Sequence, residues 1–235
     1  MPSLRPAMTN NRLLAALPDK DRGRILGQCD QVELEAGDVL HEAGAPQRHV
    51  YFPTGGFVSL VTPLRSKGGL EVALVGNEGM VGISAVLGVS ISPLRHLVHG
   101  AGGALRIPVA PFRSALELSP VLRQRLNLYV YVKIHQMAQT AACTRFHLVE
   151  ARLARLLLMA QDRSPSDAFH ATHEFLAYTL GVRRAGVTNA ATSLQQLGFI
   201  RYSRGKITIL NRRGLLASSC GCYLAAKKLY ESVLS

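Results

Sequence analysis

The feature that most constrains this 235-residue chain is a pattern near its C-terminus, HEFLAYTLGVRRAGVTNAATSLQQLGFIRYSRGKITILN over residues 173–211. A short helix is predicted over His173–Leu180, ending at Gly181, where a residue able to adopt positive φ is favoured. A second helix with one apolar face is predicted from about Arg183 to Leu197. Two short strands then flank a tight turn at residues 203–206. The segment is therefore predicted to form a winged helix-turn-helix.

The polar side chains of this segment match what double-stranded DNA presents. A helix of this width fits the major groove, where arginine can pair with guanine and asparagine with adenine through two hydrogen bonds. Cationic and hydroxyl side chains suit phosphates, which position a protein without reading sequence. We predict base contacts from Arg184 and Asn189, and phosphate contacts from Arg183, Thr188, Arg204 and Lys206. An ordinary helical hairpin with a solvated face is the alternative.

The distribution of charge indicates a polyanionic partner. The chain has 27 Lys and Arg against 15 Asp and Glu, a formal net charge of +12. Between Phe175 and Tyr230 it has nine basic residues and no acidic one. Such a basic stretch is typical of nucleic-acid-binding domains, although RNA or an anionic membrane surface would use the same charge. No apolar run approaches the roughly 20 residues of a bilayer-spanning helix and no signal peptide is visible, so we expect a cytoplasmic protein.

Residues 31–108 show a different pattern of residue types from the C-terminal segment. Short runs rich in Val, Ile, Leu, Tyr and Phe alternate with glycine turns, as in HVYFPTGGFVSLVT and LRHLVHGAGGALRIPV. Many short strands at this spacing predict an antiparallel sandwich or barrel. Two short helical pieces, separated by Pro18, are predicted before it. The chain as a whole is thus predicted to have an α+β fold.

A long helix is predicted between these two regions, because residues 121–145 contain no Pro or Gly. Apolar side chains recur along it at steps of three and four. They are Leu122, Leu126, Val130, Ile134, Met137 and Ala141. Two interpretations are open at this point: the helix packs against its own domain, or its stripe forms a dimer seam in the manner of a coiled coil.

Three stretches resemble the cAMP receptor / fumarate-nitrate regulator (Crp/Fnr) superfamily. LGVRRAGVTNAATSLQQLGFIRYSRGKITIL resembles its DNA-binding motif, VELEAGDVLHEAGAPQRHVYFPTGGFVSL its opening β-roll strands, and RIPVAPFRSALELSPVLRQRL the step into its dimerisation helix. The resemblance implies a cyclic-nucleotide-binding-like jelly roll at residues 12–118, a dimerisation helix at 119–146 and a winged helix-turn-helix domain at 147–235. It also implies a homodimeric transcription regulator bound to a two-fold-symmetric DNA site.

The chain departs from the superfamily pattern at its β-roll and at its recognition helix. Nucleotide-binding members have a Gly-Glu pair followed by an Arg-Ser/Thr-Ala run, whereas here Asn77-Glu78-Gly79 reverses the pair and Arg95 is not followed by that run. We therefore predict no cyclic AMP binding of the standard kind, no cofactor and an unknown signal. In the recognition helix, Ala185 and Asn189 stand where well-known members have glutamate and arginine, so their DNA target is not carried over.

The sequence offers little other chemistry. It has no Walker-type loop, no H-E-x-x-H and no G-x-S-x-G, so it is not expected to be an enzyme. Its four cysteines fit no disulfide framework. Cys220-Gly221-Cys222 could supply half of a metal site, but no second close Cys/His pair is evident beside it, so no metal is expected. A scaffold whose β-roll contacts a protein remains the alternative function, and RNA polymerase and a small-molecule effector stay open as partners.

Overall fold

The computed structural model describes residues 10–64, 68–164 and 166–234. Its first two helices are short and separated at Pro18, as predicted: α1 (Arg12–Ala15) and α2 (Asp19–Leu26). Seven strands follow in the described part of the N-terminal region. They are β1 (Asp30–Leu34), β2 (Val39–His41), β3 (His49–Pro53), β4 (Phe57–Leu64), β5 (Gly68–Val75), β6 (Arg95–Gly100) and β7 (Gly102–Pro108).

These strands form two antiparallel sheets with the orders β1-β7-β3 and β2-β6-β4-β5. Apolar side chains from both sheets pack together, among them Leu34, Val58, Val75 and Val98. Successive side chains of a strand alternate between its two faces, so each strand can supply this core while its other face meets solvent or a helix. The predicted N-terminal β-roll is confirmed.

Two helices leave the β-roll, α3 (Val109–Leu118) and the 27-residue α4 (Pro120–Phe146). The Ser119 hydroxyl caps α4 by accepting a hydrogen bond from the Leu122 amide at 3.1 Å. Pro120 occupies the first turn, where its missing N–H costs nothing. One side of α4 packs into the N-terminal core through Leu122, Leu126, Tyr129 and Val132. At about 1.5 Å per residue the helix is roughly 40 Å long and carries the chain from the β-roll to the C-terminal region.

The predicted apolar stripe of α4 is not one solvent-facing seam. Leu122, Leu126 and Val130 are buried within the chain, whereas Ile134 is 58% exposed and Ala141 is exposed. Each step of four residues advances about 40° around a helix, so a line of such steps winds from one face to another. The first three positions therefore belong to the chain's own core.

The C-terminal region begins with α5 (Val149–Gln161), β8 (Ala168–His170), α6 (His173–Leu180) and α7 (Arg184–Gln196). It continues with β9 (Ile200–Ser203), β10 (Lys206–Ile209), α8 (Arg212–Ser218) and α9 (Cys222–Leu234). The helix-turn-helix and its β-hairpin are confirmed. The short strand β8 extends the hairpin to a sheet of order β8-β10-β9. Strand β8 and helices α8 and α9 had not been predicted.

Helix α9 packs against the N-terminal region. Tyr230 and Leu234 belong to the same core as the inner face of α4. The Tyr230 hydroxyl donates to the Glu78 carbonyl at 2.6 Å, and Arg125 Nη2 donates to the Leu234 carbonyl at 2.8 Å. The segment predicted as a separate domain at residues 147–235 is therefore fastened to the β-roll side by its last helix.

Within the described residues, no helix combines the length and apolar character needed to cross a bilayer.

Candidate nucleic-acid interface and interdomain joint

Helix α7 has one buried and one exposed side. Its buried side chains are Val187, Ala190, Ala191 and Leu194. Arg183 forms the N-cap, and Arg184, Thr188 and Asn189 are all exposed in the first half of the helix. Gly181 has φ of +63°, the left-handed conformation that lets the chain end α6 and turn into α7. The predicted base-contacting residues therefore lie on one accessible face.

Thr188 also has a role within the domain. Its hydroxyl donates to the Arg184 carbonyl at 3.1 Å and lies 3.0 Å from His173 Nδ1. The His173 ring stacks on Tyr202 of β9 with centroids 4.2 Å apart. Burial and the nearby Arg184 lower the pKa of His173, which favours its neutral form. His173 and Tyr202 thus connect the recognition helix to the hairpin, a contact that sequence analysis missed because it joins three separate elements.

The hairpin between β9 and β10 ends in an Arg-Gly tip. Arg204 has φ of +48° and Gly205 has φ of +78°, so both central residues of the turn are left-handed, as a type I′ turn requires. This conformation exposes Arg204 and Lys206. With His170 and Arg201, they line a shallow pocket with a volume of about 560 Å³. Arg201 and His170 were not among the predicted contacts, although the acid-free stretch contains Arg201.

The charges on this face are not neutralised internally. Among the described residues, no carboxylate lies within 4.0 Å of Arg183, Arg184, Arg201, Arg204 or Lys206. We call Arg183, Arg184, Asn189, Arg204 and Lys206 the DNA-binding face, after the contacts that the sequence predicts for them. Uncompensated exposed cations create the positive potential that attracts a polyanion.

A second group of charged side chains is buried where α4 and α5 meet the β-roll. Glu78 Oε1 accepts hydrogen bonds from Arg163 Nη2 at 2.7 Å and Nε at 3.0 Å, and both side chains are only about one-tenth exposed. Burial alone raises the pKa of Glu78, but Arg163 and Lys133 lower it overall. Lys133 Nζ donates to the Leu74 carbonyl at 2.8 Å. The Glu78–Arg163 ion pair connects the β-roll to the segment that directly follows α5.

Glu71 lies in the same region. Its carboxylate accepts a hydrogen bond from Ser59, whose hydroxyl is 2.8 Å from His99 Nδ1. The His99 ring contacts Phe175 of α6 edge-on, with centroids 3.7 Å apart. Burial raises the pKa of Glu71 to about 7, against the opposing effects of Ser59 and nearby cations. We call Glu71, Glu78, Lys133 and Arg163 the interdomain joint.

Four potential metal ligands meet beside the joint. They are Cys143 and His147 at the end of α4, and Cys220 and Cys222 at the start of α9. Their ligand atoms all lie within 4.8 Å of one another, and the three cysteines are buried. A hydrogen bond with Cys220 and the nearby Arg155 lower the pKa of Cys143. Sequence analysis found only the Cys220–Cys222 half. The signal for the other half is the Cys-x-x-x-His spacing at the end of a helix, 77 residues earlier.

Comparisons with known proteins agree with this geometry. Residues 151–218, from α5 to α8, match the family model of the Crp-like helix-turn-helix domain. The transcriptional regulator SdrP of Thermus thermophilus is 29% identical to the chain, over 82% of this chain and 96% of that protein. A Crp/Fnr-family transcriptional regulator from Eubacterium rectale has a similar structure, with a TM-score of 0.69 at 17% identity over 88% of this chain and 96% of that one. Residues 151–218 therefore form a Crp-like helix-turn-helix domain, and the chain resembles Crp/Fnr regulators in sequence and fold.

The Crp/Fnr fold extends over most of the chain. FixK2 of Bradyrhizobium japonicum superposes with a TM-score of 0.69 at 13% identity, over 82% of this chain and 98% of that one. The chain thus shares the fold of Crp/Fnr regulators and contains a Crp-like helix-turn-helix domain. These relatives are regulators rather than enzymes.

The two side chains compared with the nucleotide cassette in the sequence, Glu78 and Arg95, are already paired. Glu78 binds Arg163 inside the joint, and Arg95 lies 3.2 Å from Glu42 in a partly exposed ion pair.

Proposed function

We propose that the protein is a homodimeric, sequence-specific transcription regulator that binds a two-fold-symmetric site in double-stranded DNA. The DNA-binding face carries this proposal. Arg184 and Asn189 are exposed on the first half of a helix whose other side is buried, and Arg204 and Lys206 extend the same charge onto the wing. A groove-sized helix and a basic hairpin, whose cations have no carboxylate of the described chain within 4.0 Å, suit duplex DNA better than a flat anionic membrane.

The roles of these side chains differ. Arg184 would form two hydrogen bonds with guanine, and Asn189 two with adenine, so these residues give sequence preference. Arg183, Arg204 and Lys206 would contact phosphates and set the register of the domain on the duplex. Thr188 would also face the backbone, while its hydroxyl steadies the turn of α7 that carries Arg184.

For the dimer, we propose a seam displaced from the one predicted. Residues on the exposed side of α4 follow alternating steps of three and four, which stay on one face of a helix. They are Gln124, Asn127, Tyr131, Ile134, Ala138, Ala141 and Arg145, and all are exposed within the single chain. Ile134 is 58% exposed and Tyr131 is 47% exposed. Exposing two neighbouring large apolar side chains to water is unfavourable for a helix that has no partner. Ile134 and Ala141 remain from the predicted set.

The β-roll would not bind cyclic AMP in the standard way, because Glu78 and Arg95 are held by Arg163 and Glu42. Calorimetry with cyclic AMP and cyclic GMP is expected to show no binding tighter than about 100 µM, roughly −5.5 kcal/mol. A micromolar Kd that is lost in Arg95→Ala would contradict this expectation.

The central experiment is selection of duplexes from a random DNA pool by the full-length protein, followed by footprinting. A palindromic site with half-sites about one helical turn apart is expected. Equal retention of all sequences, or preference for RNA, would overturn the proposal and favour a scaffold or RNA-binding protein.

The dimer is tested separately by sedimentation of Ile134→Glu. Placing a charge in the seam should produce monomers at micromolar concentration and abolish binding to the palindrome. Leu118→Glu is a matched control, because Leu118 is 64% exposed but lies at the end of α3. A wild-type protein that is monomeric, or an Ile134→Glu variant that dimerises normally, would eliminate this seam.

A further inference from the structure

The strongest unassigned feature is the cluster of three cysteines and one histidine beside the joint. Two ligands come from each of two distant segments. Cys143 and His147 are one helical turn apart at the end of α4, and the His147 amide donates to the Cys143 carbonyl at 3.1 Å. Cys220 immediately precedes α9 and Cys222 begins it. Nearly the whole helix-turn-helix domain lies between the two pairs in sequence.

The distances suit one small tetrahedral ion. Cys143 Sγ and Cys220 Sγ are 3.5 Å apart, and Cys222 Sγ is 3.6 Å from His147 Nδ1. Zinc bound at about 2.3 Å by sulfur and about 2.0 Å by nitrogen needs its ligands roughly 3.5–3.8 Å from one another at a tetrahedral centre. A disulfide between Cys143 and Cys220 would require a much shorter separation, about 2.05 Å, and would leave Cys222 and His147 without a shared role.

The electrostatic surroundings suit an anionic centre. Three thiolates and one divalent ion sum to a net charge of −1. Arg152 and Arg155 of α5 are each only 7% exposed, and among the described residues neither lies within 4.0 Å of a carboxylate. Arg155 lies close enough to Cys143 to lower the pKa of its thiol, and Cys143 and Cys220 both lie close to Arg152. Buried guanidinium groups need a compensating charge, and these sulfurs are placed to supply it.

Further hydrogen bonding supports metal ligation. Gln139 Nε2 donates to Cys222 Sγ at 2.9 Å, the kind of outer contact that orients a ligand and stabilises a bound thiolate. We propose that Cys143, His147, Cys220 and Cys222 bind one zinc ion in a tetrahedral Cys3His site that fastens the end of α4 to the start of α9. A four-ligand site of this kind is closed and structural rather than catalytic.

The test uses the full-length protein, and its primary readout is metal content. One zinc per chain is expected in protein purified without chelators. Cys220→Ser and His147→Ala should lose most of the zinc, whereas Cys29→Ser should retain it, because Cys29 lies in the N-terminal core near α2. Iron with acid-labile sulfide, or a mass two daltons low from a disulfide, would overturn the zinc assignment.

A second measurement keeps the proposal testable if those variants misfold. Cobalt added to metal-free wild-type protein should give thiolate charge-transfer and tetrahedral visible bands that zinc then displaces. Zinc at a hundred times its Kd should raise the thermal midpoint by about 5–10 °C. Octahedral cobalt spectra, or no change in the midpoint, would contradict a closed site that joins the two helices. None of these readouts depends on DNA binding.

Discussion

Basic side chains in the DNA-binding face and in the interdomain joint have opposite surroundings. Arg184, Arg204 and Lys206 are exposed, with no carboxylate of the described chain within 4.0 Å. Arg163 and Lys133 are buried, and each has fixed partners on the β-roll. Burying a charge carries a large desolvation penalty unless the charge is paired, whereas an exposed unpaired charge is stabilised by water. The same residue types therefore bind the C-terminal region to the β-roll in the interdomain joint, and remain available to an external anion on the DNA-binding face.

The largest expected effect comes from breaking the joint. Arg163→Ala removes the partner of a buried carboxylate and should lower the free energy of unfolding by about 3–5 kcal/mol. Denaturant unfolding at pH 7.5 measures the change. The loss arises because Glu78 stays buried with only the more distant charge of Lys133 to compensate it, and its pKa should rise in the variant.

Arg95→Ala is the matched control. Its pair with Glu42 is partly exposed, with side-chain exposures of 34% and 62%, so its removal should cost less than about 1 kcal/mol. Equal losses in the two variants would erase the proposed difference between buried and exposed cations.

The second effect depends on pH. The pKa of Glu71 is raised from 4.5 to about 7 in the folded protein. The folded state therefore binds a proton more tightly than the unfolded state, so this contribution to stability is complete below pH 4.5 and is lost as pH rises through about 7. Glu71→Gln cannot ionise and should be more stable than wild type by about 2–3 kcal/mol at pH 8.

The comparison must be made as a difference between variant and wild type across pH 4–8. Burial lowers the pKa of His96 and of His99 to about 3, so these residues reduce stability as pH falls below 6.5 and oppose Glu71 in the wild-type curve. Subtracting the wild-type stability curve from the Glu71→Gln curve removes the contributions of His96 and His99 if the substitution leaves their pKa values unchanged. A pH-independent difference would show that folding does not raise the pKa of Glu71.

The helices and hairpin that carry the DNA-binding face could be predicted from sequence because their signals are local. Gly181 ends one helix, the Arg204-Gly205 pair defines the turn, and the period of apolar residues separates the two faces of α7. Each signal lies within a few residues of the structure that it predicts. The same holds for the strands of the β-roll, which are delimited by glycine turns.

The joint and the thiol cluster could not be predicted in this way. Glu78 and Arg163 are 85 residues apart, and Cys143 and Cys220 are 77 apart, so their pairing exists only after the domains dock. For α4, periodicity showed that the helix is amphipathic but not which residues its own core would cover. Helix α9 had no clear local signal, and its packing on the first core depends on distant contacts through Tyr230.

The third effect concerns specificity and is smaller when it is counted per half-site. Arg184→Ala should reduce affinity for the selected palindrome by about 1–3 kcal/mol per half-site contact and relax preference at one base position. Non-specific affinity should change much less. Competition assays with the palindrome and with single-base variants measure both quantities. An unchanged ratio of specific to non-specific affinity would remove Arg184 from the base-contacting group.

The smallest effect is expected from Lys206→Ala. Lys206 is exposed on the wing beside Arg204, where a phosphate contact releases counterions without distinguishing bases. All duplexes should bind more weakly by the same factor, and the slope of log affinity against log salt should fall in magnitude by about 0.9 for each half-site. Lys228→Ala is the matched control, because Lys228 is an exposed base on α9, outside the DNA-binding face. Its slope should equal that of wild type. An equal reduction of the salt slope in both variants would mean that DNA affinity depends on net charge alone. The exposed cations of the wing would then make no specific phosphate contact.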